Sequence, residues 1–375
     1  MLKAMKNSKK NGKINKLSYN INDKNAEKYA KRKEEHVNIV LGNDVTSPYN
    51  YWDDVELVHN SLPEIDFDII DTEIRLLRKM LRYPLVITGM TGGYDGGEKI
   101  NRALATLSSE FNIGLGVGSE RGALLSNDLK KSYSCIKDYD IPIKIANIGA
   151  PQLVDQKDKK ALSDDDISML VDLINADVVA IHLNYLQEVV QPEGDLNSTG
   201  CIDRIEQISK KFPTIVKETG AGISRQVALL LRKTKIMGID TSGKGGTSFA
   251  KVEKYRAYEN DSERYSLGNL FGSWGVPAPI SIINGKLAEK EIIGSGGIRN
   301  GLDAAKAISM GADAAGFARA ILQEVVKGDE YARQYLNGFI KELKVSMYLT
   351  GSKNIDMLKR SEHIIKGECS QWIKM

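Results

Sequence analysis

Along most of the chain, short apolar runs alternate with longer segments whose apolar residues recur at helical spacing, and each run ends in glycine and polar residues. The first complete case is Pro84-Leu85-Val86-Ile87-Thr88, closed by Gly89-Met90-Thr91-Gly92-Gly93 and followed by a helical pattern from Gly96 to Phe111. Ile113–Val117 then ends in Gly118-Ser119-Glu120-Arg121, and Ile143–Ala146 ends in Asn147-Ile148-Gly149-Ala150-Pro151, with a helix predicted over Asp164–Asn175. An apolar run from Asp177 comes next, and Thr214–Val216 ends in Lys217-Glu218-Thr219-Gly220 before a helix over Ser224–Arg232. Met237–Asp240 ends in Thr241-Ser242-Gly243, Glu291–Ile293 ends in Gly294-Ser295-Gly296-Gly297, and Ala312–Gly316 precedes a helix over Ala318–Lys327. Strands that alternate with helices in one handed series form a parallel sheet, and eight such units favour closure over an open sheet. The expected class is α/β, a (β/α)8 TIM barrel with an N-terminal extension. The expected boundaries are a basic, flexible tail over 1–25, a helical extension over 26–83, the barrel over 84–330, and a helical C-terminal segment over 331–375 packing on it. Within the extension, Ala26–Leu41 has helical spacing that presents Arg32, Lys33 and His36 together, and Trp52–Leu62 reads as a second, wetter segment.

One run differs from the rest in how it ends. In Asp177–Asp195, Val178, Ala180, His182 and Asn184 share one face of a strand, while Val179, Ile181 and Leu183 share the other. Only one face turns polar, as expected where the outer face packs on helices and the inner face becomes chemical at the carboxyl end. Gln187 and Glu188 follow closely, so an imidazole, two amides and a carboxylate can converge on one mouth. A His and an Asn that merely cap a strand end account equally well for this stretch taken alone.

Composition narrows the function classes. With 375 residues, 42% of them hydrophobic, the chain can bury one large barrel core with extensions, or two ordinary domains. The net charge is only +3, yet the first 33 residues carry eleven Lys and Arg against Asp23 and Glu27. No aromatic residue interleaves with those lysines before Tyr19, so a solvated tail is expected and nucleic acid is not an expected partner. No apolar stretch reaches the ~18 residues needed to span a bilayer, and no signal-peptide core follows the N-terminal lysines, so no membrane partner and a cytoplasmic location are expected. Cys135, Cys201 and Cys369 are isolated, which argues against disulfides and a structural metal.

The strongest chemical signal is a pair of glycine-rich turns, Gly243-Lys244-Gly245-Gly246-Thr247 and Gly294-Ser295-Gly296-Gly297-Ile298-Arg299-Asn300-Gly301. Missing side chains let backbone N–H groups approach an anion closely, and the last turns of (β/α)8 barrels recur as phosphate sites. Tight loops also need glycine, but two such turns at these strand ends, with Lys217 and Arg299 near, favour phosphate. Neither turn sits in an early βαβ unit with a downstream acid, as a dinucleotide fingerprint requires.

Taken together, Arg32-Lys33-Glu34-Glu35-His36, Thr88–Gly93, Gly118–Arg121, Asn147–Gln152, His182–Glu188, Gln191–Asp195, Val216–Gly220 and Gly296–Arg299 resemble, in this order, the type 2 isopentenyl-diphosphate isomerases over about residues 30–325. Glu120 is a departure, since the family motif usually has Gln between Ser119 and Arg121, and the tail before residue 25 has no counterpart in the motifs. The resemblance implies an FMN-dependent, Mg²⁺-requiring barrel that interconverts isopentenyl and dimethylallyl diphosphate, with NADPH or NADH as flavin reductant and a tetramer or octamer as the assembly. It implies flavin contacts from Met90, Thr91, Gly92, Ser119, Asn147, Lys217, Ser242, Thr247, Gly297, Ile298, Arg299, Ala318 and Arg319. It implies a diphosphate site of Arg32, Lys33, His36, Ser119, Glu120 and Arg121, with His182 and Asn184 beside Gln187 over the allylic carbons and Glu188 holding Mg²⁺. His36 and His182 are then diphosphate donors rather than metal ligands. The charges agree, because Arg grips phosphate oxygens bidentately and Mg²⁺ takes one or two carboxylates plus substrate oxygens.

Moving a double bond calls for strong acid and base groups. With Gln187 untitratable and Glu188 on the metal, the reduced flavin is expected to carry the proton. Two other classes compete: a 2-hydroxy-acid oxidase barrel should place a catalytic His after strand six or seven, and none stands between Met237 and Arg299. A phosphate- or RNA-binding barrel would leave the cluster from His182 to Glu188 without a purpose.

Overall fold

The computed structural model describes residues 23–257 and 261–373; the expected tail over residues 1–25 lies almost wholly outside them. Eight parallel strands close into a barrel in sequence order: Leu85–Ile87, Gly114–Gly116, Lys144–Gly149, Val178–Leu183, Thr214–Glu218, Gly238–Asp240, Glu291–Gly294 and Ala314–Phe317. The eighth pairs with the first, Gly316 opposite Val86, which completes the ring. All eight expected strands are present, within a few residues at each end. Register decides what they do. His182 lies opposite Lys217, and Lys217 opposite Asp240, so these three polar side chains form a row on the inner face.

The two faces of the fourth strand part as their alternation requires. Val178 and Ala180 pack inside the barrel with Val86, Ile145, Ile215 and Ile293, whereas Val179 and Ile181 join the larger core between strands and helices. Burying one aliphatic side chain of this kind contributes roughly 1.5–3 kcal/mol. The surrounding helices start on their own side chains: Ser163 and Asp166 form a reciprocal capping box, and Ser224 and Asn300 cap two others.

The 26–83 segment, expected to be helical, contains one long helix, Asp23–Gly42, followed by short turns and three strands. Ile74–Leu76 and Lys79–Leu81 pair as a hairpin whose two linking residues, Leu77 and Arg78, have φ of 47° and 70°. Positive φ at both turn residues matches the twist of a two-residue hairpin. Ile74, Leu76, Leu77 and Leu81 plug the barrel's inner core from the end opposite the polar row. The 331–375 segment also holds a strand besides its helices: His363–Ile365 pairs antiparallel with Val55–Leu57. Three helices that the sequence patterns did not mark, Phe249–Ala257, Ser262–Leu270 and Ala278–Lys286, separate the sixth and seventh strands. No helix among the described residues is long and apolar enough to cross a membrane.

Candidate active site

A cavity of about 460 Å³ opens at the carboxyl ends of the strands, and residues in or just after each of the eight strands reach it. Its floor is held by backbone. Gly245, Gly296 and Gly297 have φ of 122°, 93° and 79°, conformations that side-chain-bearing residues rarely adopt. The two glycine-rich turns touch: a Cβ on Gly297 would stand 2.4 Å from the Gly245 carbonyl oxygen, and one on Gly246 would stand 2.6 Å from the Gly297 nitrogen. Arg299 Nη2 donates to the Gly245 carbonyl at 3.0 Å, and the Trp52 indole N–H donates to the Gly296 carbonyl at 2.9 Å. Arg319 Nε donates to the Val40 carbonyl at 3.0 Å, a cation at the carboxyl end of the Asp23–Gly42 helix, where the dipole favours it.

The polar row forms the next layer. Lys217 Nζ lies 3.0 Å from Asp240 Oδ2, and Asp240 also accepts from the Ser295 hydroxyl. Asn147 Nδ2 donates to the Val117 carbonyl at 2.9 Å, which turns its Oδ1 toward His182 Nδ1 at 2.7 Å. That contact assigns the proton to Nδ1. Burial, with Lys33 and Lys217 nearby, pushes the His182 imidazole down to about 3, so the ring is neutral and Nε2 can only accept. In this arrangement the one N–H of His182 is engaged by Asn147, and Nε2 is the atom left for a ligand.

At the rim, His36 Nε2 is 2.8 Å from Glu253 Oε1, and Gln187 Nε2 donates to the same oxygen at 2.9 Å. Burial opposes ionisation of Glu253, but His36, Arg256 and the Gln187 hydrogen bond together hold its carboxyl below the ordinary range. Burial lowers His36 as well, which leaves Arg256 as the fixed positive partner.

Every residue expected to hold the cofactor lines this one cavity, as do Lys33, His36, His182 and Gln187. Five others stand outside its wall: Arg32, Glu120, Arg121, Asn184 and Glu188. Arg32 pairs with Glu193 at 3.3 Å and Arg121 with Asp195 at 3.1 Å, so the two arginines meet one loop, Gln191–Asp195. Glu188 accepts from Asn184 Nδ2 at 2.8 Å, from the Asp195 N–H at 2.8 Å and from Gln191 Nε2. Asn184 Oδ1 is buried without a partner. Among the described residues, no group of three or more His, Cys, Asp or Glu could hold a metal alone. Glu120 is fully buried; its Oε2 accepts from the Asn147 N–H at 2.8 Å, its Oε1 has no partner, and burial raises its carboxyl well above the ordinary range. It faces the interior because the short helix Glu120–Leu124 turns Arg121 outward and its neighbour in.

Glu253 and Arg256 escaped the sequence reading. They stand at i and i+3 on the helix that follows the Gly243–Thr247 turn, and a helix start directly after a glycine-rich turn was the available signal.

A closed barrel whose last turns form a backbone cradle under a polar row has the architecture of a flavin-binding (β/α)8 enzyme. Residues 275–366 match the FMN-dependent dehydrogenase family, and solved mandelate oxidase structures share the fold at a TM-score of 0.57, with 15% identity over 91% of this chain and 99% of theirs. The chain is 47% identical over 346 residues to the isopentenyl-diphosphate delta-isomerase of Thermoplasma acidophilum, covering 92% of this chain and 99% of that protein. The protein of that name from Picrophilus torridus is 46% identical, covering 92% and 98%, and that from Archaeoglobus fulgidus is 41% identical over the same shares. The chain belongs to the isopentenyl-diphosphate delta-isomerase family, in its FMN-dependent type 2 form.

Proposed function

We propose that this protein interconverts isopentenyl diphosphate and dimethylallyl diphosphate, with FMN in the cavity, Mg²⁺ beside Glu188 and NADPH or NADH as the flavin reductant. The observation that carries the reading is a single cavity lined both by the expected flavin residues and by Gln187 at its rim. We also infer a cytoplasmic homo-oligomer, a tetramer or octamer, from the family resemblance.

The residues fit both groups. The turns pack so closely that a Cβ on Gly246 or Gly297 would collide with the opposite turn, which leaves bare backbone lining the cavity, and Arg299 and Arg319 supply positive charge. For the metal, the unpartnered Asn184 Oδ1 beside the Glu188 carboxylate is a pair of hard oxygens, which Mg²⁺ prefers together with substrate oxygens. Arg32, Lys33 and Arg121 sit on the segments next to that pair and bind the diphosphate, the two arginines exchanging Glu193 and Asp195 for phosphate oxygens.

The isomerisation gains a proton at one carbon of the allylic unit and loses one from another, through a cation-like state. Reduced FMN, when bound, supplies the proton-transferring chemistry that the side chains at the rim lack. Gln187, fixed through Nε2 to Glu253, orients the allylic carbons, and neutral His182 offers an acceptor without adding positive charge beside a developing cation. The apolar wall of Val37, Val40, Phe249 and Leu322 keeps water from that cation. The test is turnover of purified, FMN-loaded protein on isopentenyl diphosphate under reducing conditions, with and without Mg²⁺. Dimethylallyl diphosphate should form only when reduced flavin and Mg²⁺ are both present; none under any of these conditions sinks the reading.

A further inference from the structure

We propose that Arg256 is a positioning residue for the isomerisation, fixing the Gln187 carboxamide and the His36 ring at the cavity rim by orienting Glu253; this rests on the function proposed above. Arg256 lies one turn after Glu253, its side chain only 12% exposed, and each of its three nitrogens meets a different carboxylate. Nη1 pairs with Glu253 Oε2 at 2.5 Å, Nε with Glu35 Oε2 at 3.1 Å, and Nη2 with Glu193 Oε1 at 3.4 Å. Those carboxylates come from the N-terminal helix, from the loop that also meets Arg32, and from its own helix.

Glu253 divides its two oxygens accordingly. Oε2 is taken by Arg256, so Oε1 alone receives His36 and Gln187, and the plane of the carboxylate is set. Without the guanidinium, a carboxylate with a fully buried side chain loses its one permanent positive partner. It must then take up a proton or swing, and either change weakens its hold on Gln187 Nε2, because a neutral or displaced carboxyl is a poorer acceptor. An ammonium group cannot reproduce three contacts from one planar fork. Glu193 adds a link to the substrate side, since its Oε1 is shared by Arg256 and Arg32.

A purely structural role would be to dock the N-terminal helix through Glu35, and the experiment separates the two. Arg256→Met, Arg256→Lys, Glu35→Gln, Glu253→Gln and the Arg256→Met/Glu253→Gln double variant are purified with FMN and compared with the wild type for kcat and KM on isopentenyl diphosphate. Arg256→Met should lower kcat on the order of 10- to 100-fold, the scale of small misplacements at a reacting centre, with a much smaller change in KM. Arg256→Lys should fall between it and the wild type, and Glu35→Gln should stay near the wild type in both constants. In the Glu253→Gln background, Arg256→Met should lower kcat little further, because residues acting through one another are not additive. If Arg256→Met loses flavin, Arg256→Lys carries the test and must show the same split. Unchanged kcat in Arg256→Met, full additivity in the double variant, or an equal loss in Glu35→Gln overturns the proposal while the functional reading stands. A wild-type enzyme without turnover overturns that reading and this proposal with it.

Discussion

The floor of the cavity and its rim are built in opposite ways. The floor is backbone: interlocked glycine turns, strand ends in register and side chains locked by one or two short hydrogen bonds. The rim is a mesh of long charged side chains that satisfy one another, with Arg32 on Glu193, Arg121 and Lys159 on Asp195, and Arg256 on three carboxylates. A backbone cradle has nowhere else to go, whereas an ion-pair mesh can trade partners when a polyanion arrives. The floor is therefore suited to a resident group and the rim to a substrate that comes and goes.

The sharpest way to break this contrast is at the floor. Gly297→Ala places a Cβ at a φ of 79° and 2.4 Å from the Gly245 carbonyl oxygen. Strain of roughly 2–3 kcal/mol should weaken FMN binding about 100-fold, read by flavin absorbance on titration of the apoprotein; tight flavin in that variant would show that the cradle is not where the phosphate sits. A change at the rim should act differently. Arg32→Met removes a charge-assisted contact worth about 1.5–3 kcal/mol, so KM for isopentenyl diphosphate should rise on the order of 10-fold or more with flavin content unchanged. A variant that lost flavin instead would erase the distinction between the two regions.

Glu120 tests the contrast from behind the floor, through stability. Its carboxyl titrates above the ordinary range because it is buried, so the folded protein keeps this proton to higher pH than the unfolded chain does. Stability is then full at acid pH and falls as pH rises from the ordinary carboxylate range through the raised folded value. Glu120→Gln should remove that slope and gain on the order of 1 kcal/mol at neutral pH relative to the wild type, by denaturant unfolding of the holoenzyme at pH 5 and pH 8. An identical slope in the two proteins would mean that Glu120 is not the group responsible. The smallest effect is expected at the N-terminus: deleting residues 1–22, ahead of the helix Asp23–Gly42, should change kcat less than about twofold. A larger drop in a folded truncation would extend the rim beyond Arg32.

The same contrast explains what the sequence made legible. Each barrel strand is a run of apolar residues with glycine at its end, and the chemistry of the floor lies within a few residues of those ends. Lys217, Ser242 and Gly297 could thus be placed at strand ends from local pattern, while their flavin role came from the family resemblance. The rim depends on pairs such as Arg32 with Glu193, 161 residues apart, which no local period encodes. Glu253 and Arg256 fell on a helix whose apolar pattern is weak, so periodicity did not mark it and only the glycine-rich turn before it could have. Three-residue strands such as Ile74–Leu76 are too short to display alternation, which is why the plug of the barrel read as part of a helical extension. Glu120 read as a diphosphate contact because its motif places it between Ser119 and Arg121, and only the turn geometry sends it inward.

The pairing of Val55–Leu57 with His363–Ile365 imposes an order on the life of the chain. Val55 and Ile365 are partners separated by 310 residues, the difference of their numbers. At 5–20 residues per second, the ribosome leaves the first of them waiting roughly 15–60 s for the second. Trp52, three residues earlier, ties the Gly296 turn through its indole. The seam between Val55–Leu57 and His363–Ile365 can therefore close only after the last barrel strand, Ala314–Phe317, has emerged.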